Sequence, residues 1–463
     1  MNPNTSEVES SPFDYRQVEV ERFTRCLRAG DSCSIVGVSG MAKSNLFRYL
    51  LNTAVRREYL GNEWWNYLFL AVDTHAMGEV SDRAMYDLLL GLMVKETQGS
   101  ALPEGLITHI QKLHQQSLNT SDLLLWQRAF TQAVEAVLNF DKNFKLVFLF
   151  DQFEEVYAKF SPRFFTFLRS LRDSYKYRLC YALFTRDEVQ RLDTSSEFEE
   201  FYELFSANVI GLGPYSHKDA LSLLTRVSER YGQPVSVEMC EQLIDLTGGH
   251  PGLLKASCMA VLNSELTLPV DEQATCQTLL QVDDIRNECT KLWISLSQEE
   301  QETLHSLAVS GATAFCSPDM ARRLRLKHLV KDQHGELQLF CHLFATFVAE
   351  QKLGKPHETK VQAGPIRIDT AGEVWVRGNL LAPSLSKKEL LLLQYLCLEP
   401  GRLRNKDEII AVVYPDEYQV GGTVTDDAIT ALIKRLRERL QQFSAGANYI
   451  TTVRGKGYRL ELG

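Results

Sequence analysis

The residues best placed to do chemistry form a glycine-punctuated loop near the start of the chain. Residues 37–44 read GVSGMAKS, an apolar run (34–36) precedes them and a helical pattern (45–54) follows. A strand, a glycine-rich turn and a helix in this order make a P-loop, whose backbone amides hold phosphate groups. We therefore expect Lys43 to reach the β- and γ-phosphates of a nucleotide and Ser44 to bind Mg²⁺. The other nucleotide contacts expected in this segment are Gly37, Gly40 and Asn45.

Ala42 stands where the P-loop pattern has a glycine. A methyl group at this point can shift the loop, and phosphoryl transfer depends more steeply on positioning than binding does. The sequence therefore predicts that ATP or ADP binds together with Mg²⁺ and that any hydrolysis is slow. A scaffold that keeps the loop but has lost hydrolysis remains an alternative.

Acidic residues follow the most apolar of the predicted strands, residues 146–150. Asp151 comes directly after this strand and is placed to hold Mg²⁺ beside the P-loop. Glu154 and Glu155 follow it, and one of them could orient an attacking water molecule. An acidic helix start, favoured by the helix dipole, is the alternative interpretation of Glu154 and Glu155.

A cation follows the next predicted strand, residues 179–184. Arg186 would lie at the same edge of the sheet as Asp151 and could sense the γ-phosphate of a nucleotide. Its alternative role is a salt bridge to Asp187 or Glu188.

Five short apolar runs must position these residues, namely 34–36, 68–72, 146–150, 179–184 and 208–211. They alternate with helical patterns, which is typical of an α/β fold with a parallel sheet and crossover helices. The rest of the chain predicts a disordered N-terminus (1–12), a helical region (216–290) after the sheet domain (13–215), a compact helix-turn-helix unit (291–353), a polar linker (354–364) and a C-terminal domain (365–463).

The third helical pattern of the C-terminal domain has an apolar face and a polar face. The apolar face carries Ile429, Leu432, Ile433, Leu436 and Leu440, and Thr425 could cap the helix. A polar helix face followed by a glycine-punctuated basic hairpin suits a helix in the major groove of DNA and a wing on its backbone or minor groove. The expected DNA contacts are Thr430, Lys434, Arg435, Arg437, Arg454 and Lys456. A winged helix used only for protein contacts remains the alternative.

Composition limits the class of protein. The chain has 463 residues, of which 44% are hydrophobic and 24% charged, a composition typical of soluble globular proteins. A net charge of −9 argues against a protein whose whole surface binds nucleic acid, so any DNA contact must be local. The ten cysteines form no C-x-x-C pair, which predicts reduced core residues in the cytoplasm rather than metal ligands. Since no long uncharged apolar run occurs, no membrane association is expected.

From about Phe13 to Lys352 the chain resembles the STAND class of signalling P-loop NTPases, which are relatives of the AAA+ proteins. Besides the P-loop, residues 15–19 (YRQVE) are similar to the adenine-side motif, 151–155 (DQFEE) to the Walker B segment, and 248–252 (GGHPG) to the motif of the helical lid. The resemblance implies that Arg16 contacts the nucleotide and that Pro251 packs on its base. His250 either contacts nucleotide or caps the next helix.

The same resemblance identifies residues 291–353 as a winged helix that closes over ADP in the resting state. In relatives a histidine near the segment 340–344 (FCHLF here) senses the β-phosphate. The register places Cys341 at that position, and His342 is next to it. His342 is therefore a candidate for the phosphate contact, and a histidine at the edge of the core is the alternative.

The C-terminal domain resembles the OmpR/PhoB-type winged-helix domain over its whole length. The residues that carry the resemblance are 386–390 (SKKEL), Pro400-Gly401, 433–437 (IKRLR) and 453–460 (VRGKGYRL). In that family the third helix reads bases and an arginine of the wing enters the minor groove. Asp427 falls where the family commonly has a cation, so a base preference does not carry over.

Together the resemblances imply an ATP- or ADP-regulated protein that binds double-stranded DNA, with a closed ADP form and an ATP form that self-associates. The expected role is that of a transcriptional regulator in the cytoplasm, associated with the nucleoid, with RNA polymerase or an effector as a protein partner. An NTPase of an anti-phage defence or mobile-element system, which recruits a partner to DNA, is the second reading. A hydrolysis-dead interaction scaffold is the third.

Overall fold

The structure, a computed structural model, describes residues 13–461 except 75–76, 78–79, 101, 156, 193–197, 265–268, 270, 311–315, 334–335, 352–358, 370–372, 382–384, 415–425, 442–448 and 454–455. The chain divides after Lys352 into two units. Each unit has an apolar core of its own.

A parallel sheet forms the centre of the first unit. Its strands are β1 (Cys33–Val36), β2 (Tyr67–Asp73), β3 (Lys145–Asp151), β4 (Leu179–Thr185) and β5 (Val209–Gly211). They run in the order β2-β3-β4-β1-β5, so β4 lies between β1 and β3. All five strands predicted from the sequence are confirmed. Because the strands are parallel, their carboxyl ends meet at one edge of the sheet.

Helices cover both faces of this sheet. One face carries α1 (Gln17–Ala29), α2 (Lys43–Leu51) and α3 (Thr53–Leu60), and the other carries α4 (Asp82–Gln98), α5 (Glu104–Leu118), α6 (Leu123–Phe140), α7 (Pro162–Ser174) and, after the short α8 (Val189–Leu192), α9 (Glu199–Ser206). Alternate residues of β3 enter the two clusters: Val147 and Leu149 pack on one side, Leu146 and Phe148 on the other. Burial on both faces explains why the strands are apolar throughout.

The predicted helical region (216–290), the lid, follows the sheet. It consists of α10 (His217–Tyr231), α11 (Val237–Thr247), α12 (Pro251–Ser264), α13 (Glu272–Leu279) and α14 (Asp283–Ile294). The first unit ends in a small winged helix. It contains α15 (Gln298–Ser310), α16 (Pro318–Leu326), the hairpin β6 (Val330–Gln333) and β7 (Glu336–Leu339), and α17 (His342–Glu350). Its buried Leu324 and Phe344 belong to the same apolar cluster as Leu46 of α2 and Val147 of β3. The small winged helix therefore shares its core with the sheet.

The second unit is a winged helix. An antiparallel sheet in the order β11-β10-β9-β8 contains β8 (Thr359–Ala363), β9 (Ile366–Asp369), β10 (Val374–Val376) and β11 (Asn379–Leu380). Three helices follow, α18 (Lys387–Leu398), α19 (Lys406–Val413) and α20 (Asp426–Gln441), and the hairpin β12 (Ile450–Val453) and β13 (Gly457–Leu460) ends the unit. The apolar face predicted for α20 is confirmed, since its five residues lie in the core.

The expected linker, residues 354–364, is wrong in its second half. Residues Thr359–Ala363 form β8, which pairs with β9 at the edge of the sheet. An edge strand pairs on one side only and tolerates a polar sequence, so composition alone does not separate it from a linker. Residues 1–12, predicted to be disordered, and Thr425 lie outside the described residues. Within the described residues, no helix has the length and apolar character needed to cross a membrane.

Candidate functional site

The loop after β1 has the geometry expected of a phosphate-binding loop. Residue 43 begins α2, and Ala42 before it adopts a left-handed backbone with φ of 60°. The Lys43 ammonium donates to the carbonyl oxygen of Gly37 and lies 3.4 Å from that of Val38. Ser44 extends its hydroxyl toward the sheet edge, where Oγ is 3.3 Å from Asp151 Oδ2. Lysine, serine and carboxylate therefore converge at the start of α2.

The carboxylate at the end of β3 is suited to a divalent cation. Asp151 Oδ1 is buried, and among the described residues no donor reaches it. Burial raises the pKa of the Asp151 carboxyl, and the Ser44 hydroxyl opposes this by favouring the charged form. Asp73, at the end of β2, lies opposite Asp151 in the strand register. A hydroxyl and carboxylate oxygens are the ligands that Mg²⁺ prefers, so the residues present fit that ion.

Asp73 was not predicted from the sequence. The signal that could have identified it is the same one that identified Asp151, an acidic residue at the carboxyl end of a buried strand. Asp73 is exposed, and β2, which carries it, is the outermost strand of the sheet and is separated from β1 by β3 and β4. This position suits a carboxylate that acts on Mg²⁺ through water.

Arg186 and Glu154 form an ion pair at the end of β4. Arg186 Nε lies 3.3 Å from Glu154 Oε1, so its partner in this ion pair is neither Asp187 nor Glu188. The end of β4 also contacts the phosphate loop, because the Gly37 amide donates to the Thr185 carbonyl over 3.0 Å. Glu155 lies in the short turn Phe153–Glu155, and its side chain is outside the described part of the chain.

The acids that follow Arg186 bind the small winged helix instead. Asp187 Oδ2 lies 2.8 Å from the Lys327 ammonium, which is buried. Glu188 is also buried and receives two hydrogen bonds, of 3.0 and 2.9 Å, from the Arg322 guanidinium. The segment after β4 therefore connects the sheet edge with the winged-helix unit.

Arg16 has a structural role that its motif did not indicate. Its guanidinium is buried and donates to the carbonyl oxygens of Met41 and Gly213, both over 2.8 Å. It also lies 4.7 Å from the centre of the Tyr215 ring. A neighbouring cleft of about 1140 Å³ is lined by Tyr15, Asn45, Arg48, Tyr49, Tyr215 and residues of α10. Arg16 thus joins the N-terminal segment, the phosphate loop and the start of the lid beside a cleft of ligand size.

The lid contacts the phosphate loop through His250. The ring is fully buried, its Nε2 lies 3.1 Å from the Ser39 carbonyl oxygen, and its Nδ1 accepts from the Leu253 amide. Burial lowers the pKa of His250 to about 4, so the ring is neutral near pH 7. Of the two roles foreseen for this residue, the structure has the helix cap, and the contact with nucleotide stays a prediction. Pro251 is the first residue of α12.

His342 does not join this group. Its ring is more than half exposed, and Nδ1 pairs with Glu272 Oε1 over 2.8 Å. Cys341, at the position where relatives have histidine, is buried and caps α17 through its sulfur. A phosphate contact of His342 stays a prediction, and the histidine that approaches the loop in this structure comes from the lid. Sequence spacing missed this because the contact spans 211 residues.

The polar face of α20 presents exposed groups, with one exception. Thr430, Lys434 and Arg435 are exposed on this face. Arg437 instead donates from Nε to the Ile450 carbonyl oxygen over 2.7 Å and from Nη2 to Thr452 Oγ1 over 2.6 Å. It therefore ties α20 to the wing strand. Lys456 is exposed in the wing turn, and Arg454 lies outside the described residues.

Comparison with protein families identifies the chain. The family described as Novel STAND NTPase 1 matches residues 6–362. This is more than half of the sequence, and the chain therefore belongs to that family. The family described as Transcriptional regulatory protein, C terminal, matches residues 382–460. The chain thus combines a STAND NTPase with a winged-helix domain of the regulator type.

Curated relatives match the C-terminal domain. The sensory transduction protein RegX3 of Mycolicibacterium smegmatis is 38% identical over 101 residues, which are 22% of this chain and 42% of that protein. The transcriptional regulatory protein BaeR of Escherichia coli is 38% identical over 85 residues, 18% of this chain and 33% of that protein. The chain therefore spans less than half the length of these relatives.

Solved structures are similar to each unit. A Walker-type ATPase of Pyrococcus abyssi is 15% identical and matches 75% of this chain and 98% of that chain, with a TM-score of 0.47. The DNA-binding domain of RstA from Klebsiella pneumoniae, solved in complex with the RstA box, is 26% identical. It matches 23% of this chain and 100% of that chain, with a TM-score of 0.19. The family membership follows from the sequence matches alone.

The contacts of Arg437 predict that it stabilises the C-terminal unit. Arg437→Ala removes two hydrogen bonds to the wing and should lower the free energy of unfolding by about 1–2 kcal/mol. Lys434→Ala is the control, because Lys434 is 77% exposed and its ion pair with Glu438 is 3.9 Å long. It should change stability by less than about 0.5 kcal/mol. Urea unfolding of the two variants compares them, and an equal effect would contradict the assignment.

Burial of neutral His250 predicts a pH-dependent stability. Its pKa of about 4 in the folded chain lies below the ordinary value of 6.5, so only the unfolded chain takes up the proton between these values. Stability is complete above pH 6.5 and falls as the pH drops toward 4. From pH 7.5 to pH 5, the native chain should lose about 2 kcal/mol more than His250→Asn. Urea unfolding at both pH values measures this difference, which would vanish if the buried ring were charged.

Proposed function

We propose that this member of the Novel STAND NTPase 1 family is an ATP- or ADP-controlled DNA-binding protein that acts in transcription. The observation that carries the proposal is the convergence of Lys43, Ser44 and Asp151 in a unit that precedes a regulator-type winged helix. Lys43, Ser44 and Asp151 are together suited to bind a nucleotide with Mg²⁺. The winged helix supplies a DNA-binding output. A role on DNA agrees with the cytoplasmic, nucleoid-associated location predicted from the sequence.

The proposed nucleotide site uses residues from three elements. Lys43 and the loop amides would hold the phosphates, while Ser44 and Asp151 would hold Mg²⁺, which neutralises phosphate charge when bound. Glu154 would orient water, and Arg186 would exchange its pair with Glu154 for the γ-phosphate. The cleft between Tyr15, Asn45 and the lid would receive the base.

The proposed control of assembly rests on the segment after β4. Arg186 is directly followed by Asp187 and Glu188, which bind Lys327 and Arg322 of the small winged helix. A change in the position of Arg186 would therefore strain the contacts that keep this unit closed. In the proposed switch, ADP favours the closed chain, and ATP releases the winged helix and permits self-association. RNA polymerase or another effector is the proposed partner of the assembled form.

The backbone of Ala42 predicts slow hydrolysis. Its φ of 60° is a conformation that glycine adopts freely, and its methyl group packs on the lid cluster that includes Tyr215. The native chain should bind labelled ADP and ATP with Mg²⁺ and release phosphate slowly. Ala42→Gly should bind similarly and turn over several-fold faster, because the loop is freed to adjust. Lys43→Ala is the control that should not bind. Rapid turnover by the native chain would show that Ala42 is harmless, and absence of binding would favour a scaffold.

The contact between Glu188 and Arg322 predicts a variant that opens without its signal. Arg322→Glu places a carboxylate against buried Glu188 and should favour the open, assembling form. In sedimentation with a slowly hydrolysed ATP analogue, this variant should assemble at a protein concentration roughly tenfold lower than the native chain, as expected when about 1.4 kcal/mol of closed-state stability is lost. The native chain is first used to select a duplex DNA from a random library. The variant should then bind this duplex more tightly than the native chain does.

Arg325→Glu is the matched control for this variant. Arg325 lies on the same helix, but its partner is Asp332 of the adjoining hairpin rather than a residue of the sheet domain. It should therefore leave assembly unchanged. If the two variants behave alike, or if the native chain is the same monomer with ADP and with the ATP analogue, control of assembly by nucleotide is refuted.

A further inference from the structure

Two consecutive carbonyl groups of the phosphate loop accept hydrogen bonds from one turn of the lid. The ring of His250 contacts the Ser39 carbonyl over 3.1 Å, and the amide of Gly252 donates to the Gly40 carbonyl over 3.1 Å. Gly252 lies in the first turn of α12. The start of the lid helix therefore holds the backbone at the apex of the loop.

The hydrogen bonds of His250 fix its tautomer. The Leu253 amide donates to Nδ1, so Nδ1 carries a lone pair, and in the neutral ring the proton is on Nε2. Nε2 is then the donor to the Ser39 carbonyl. One ring thus has an acceptor directed at its own helix and a donor directed at the phosphate loop.

Glycines allow this close approach. A Cβ atom on Gly40, whose φ is +80°, would lie 2.4 Å from His250 Cε1. A Cβ atom on Gly252 would lie 3.3 Å from the Gly40 Cα atom and 2.7 Å from Glu288 Oε2. The second glycine of the P-loop is therefore required by the lid, in addition to any need that phosphate imposes.

We infer that His250 is a positioning residue that ties the shape of the phosphate loop to the position of the lid. The inference rests on the proposed nucleotide binding and deepens it. If the lid moves away, the Ser39 and Gly40 carbonyls lose their donors, and the loop is no longer held in one shape. Because coupling between binding and conformation is reciprocal, phosphate bound in the loop must in turn favour the closed lid.

Two substitutions separate the two nitrogen atoms of the ring. In His250→Asn, Oδ1 can replace Nδ1 as the helix cap, but the shorter side chain cannot reach Ser39. In His250→Gln, the amide nitrogen can replace Nε2 as the donor to Ser39, but the cap is lost. Lys255→Gln is the control, because Lys255 is an exposed residue of the same lid helix, α12, and does not line the proposed nucleotide cleft.

The test uses the full chain and two measurements. Without nucleotide, hydrogen–deuterium exchange in a peptide that spans residues 37–44 should be several-fold faster in His250→Asn and close to native in His250→Gln. The affinity for labelled ADP with Mg²⁺ should fall about fivefold in His250→Asn, the factor that one net hydrogen bond contributes. In His250→Gln the affinity should be close to native although the melting temperature is lower.

Loop exchange decides the inference independently of nucleotide. Native-like exchange in His250→Asn, or equal acceleration in both variants, would overturn it, because the ring would then act only as a cap or as core volume. If the native chain binds no ADP, the proposed function fails, and the exchange of the loop still shows whether His250 positions it.

Discussion

The phosphate loop depends on donors for its own carbonyl groups. A tight loop that directs amides toward a ligand turns carbonyl groups outward, and buried carbonyl groups need hydrogen-bond partners. Here every carbonyl of residues 37–41 accepts a hydrogen bond, and most of the donors lie far away in the sequence. The distant donors are the His250 ring, the Gly252 amide and the Arg16 guanidinium, and the local donors are the Lys43 ammonium and the Met41 amide. The N-terminal segment and the lid therefore both hold the backbone of the loop in this structure.

The same dependence extends to the small winged helix. Its apolar side chains complete the cluster on one face of the sheet, so the unit cannot leave without exposing that core. Its cations bind Asp187 and Glu188, and these residues follow Arg186, whose neighbour Thr185 accepts a hydrogen bond from the Gly37 amide. Within residues 185–188, the first contacts the phosphate loop, the second pairs with Glu154, and the last two bind the small winged helix. This chain of contacts supports the proposed nucleotide control of the closed state without demonstrating a coupling.

The sequence was sufficient for the features that local patterns determine. The five strands, the apolar face of α20 and the convergence of Ser44 with Asp151 depend on periodicity and on residues at strand ends, and all are found in the structure. The partners of Arg186, Arg437 and His250 were not predictable, because each pair is chosen by packing between distant segments. The edge strand β8 was missed for a related reason, since it forms by pairing with β9 and its own polar sequence is not typical of a strand.

The contacts of Arg437 also bear on how the C-terminal domain would work. This arginine is used to hold the wing, which leaves Thr430, Lys434, Arg435 and Lys456 as the exposed groups for DNA among the described residues of helix and wing. The domain has 14 lysine and arginine residues against 12 aspartate and glutamate residues, so its net charge is only weakly positive. Joining several such domains raises binding through effective concentration, by roughly 10²–10⁴-fold when the spacing of sites fits. In the proposed function, assembly would therefore be the step at which a nucleotide switch has most effect on DNA binding.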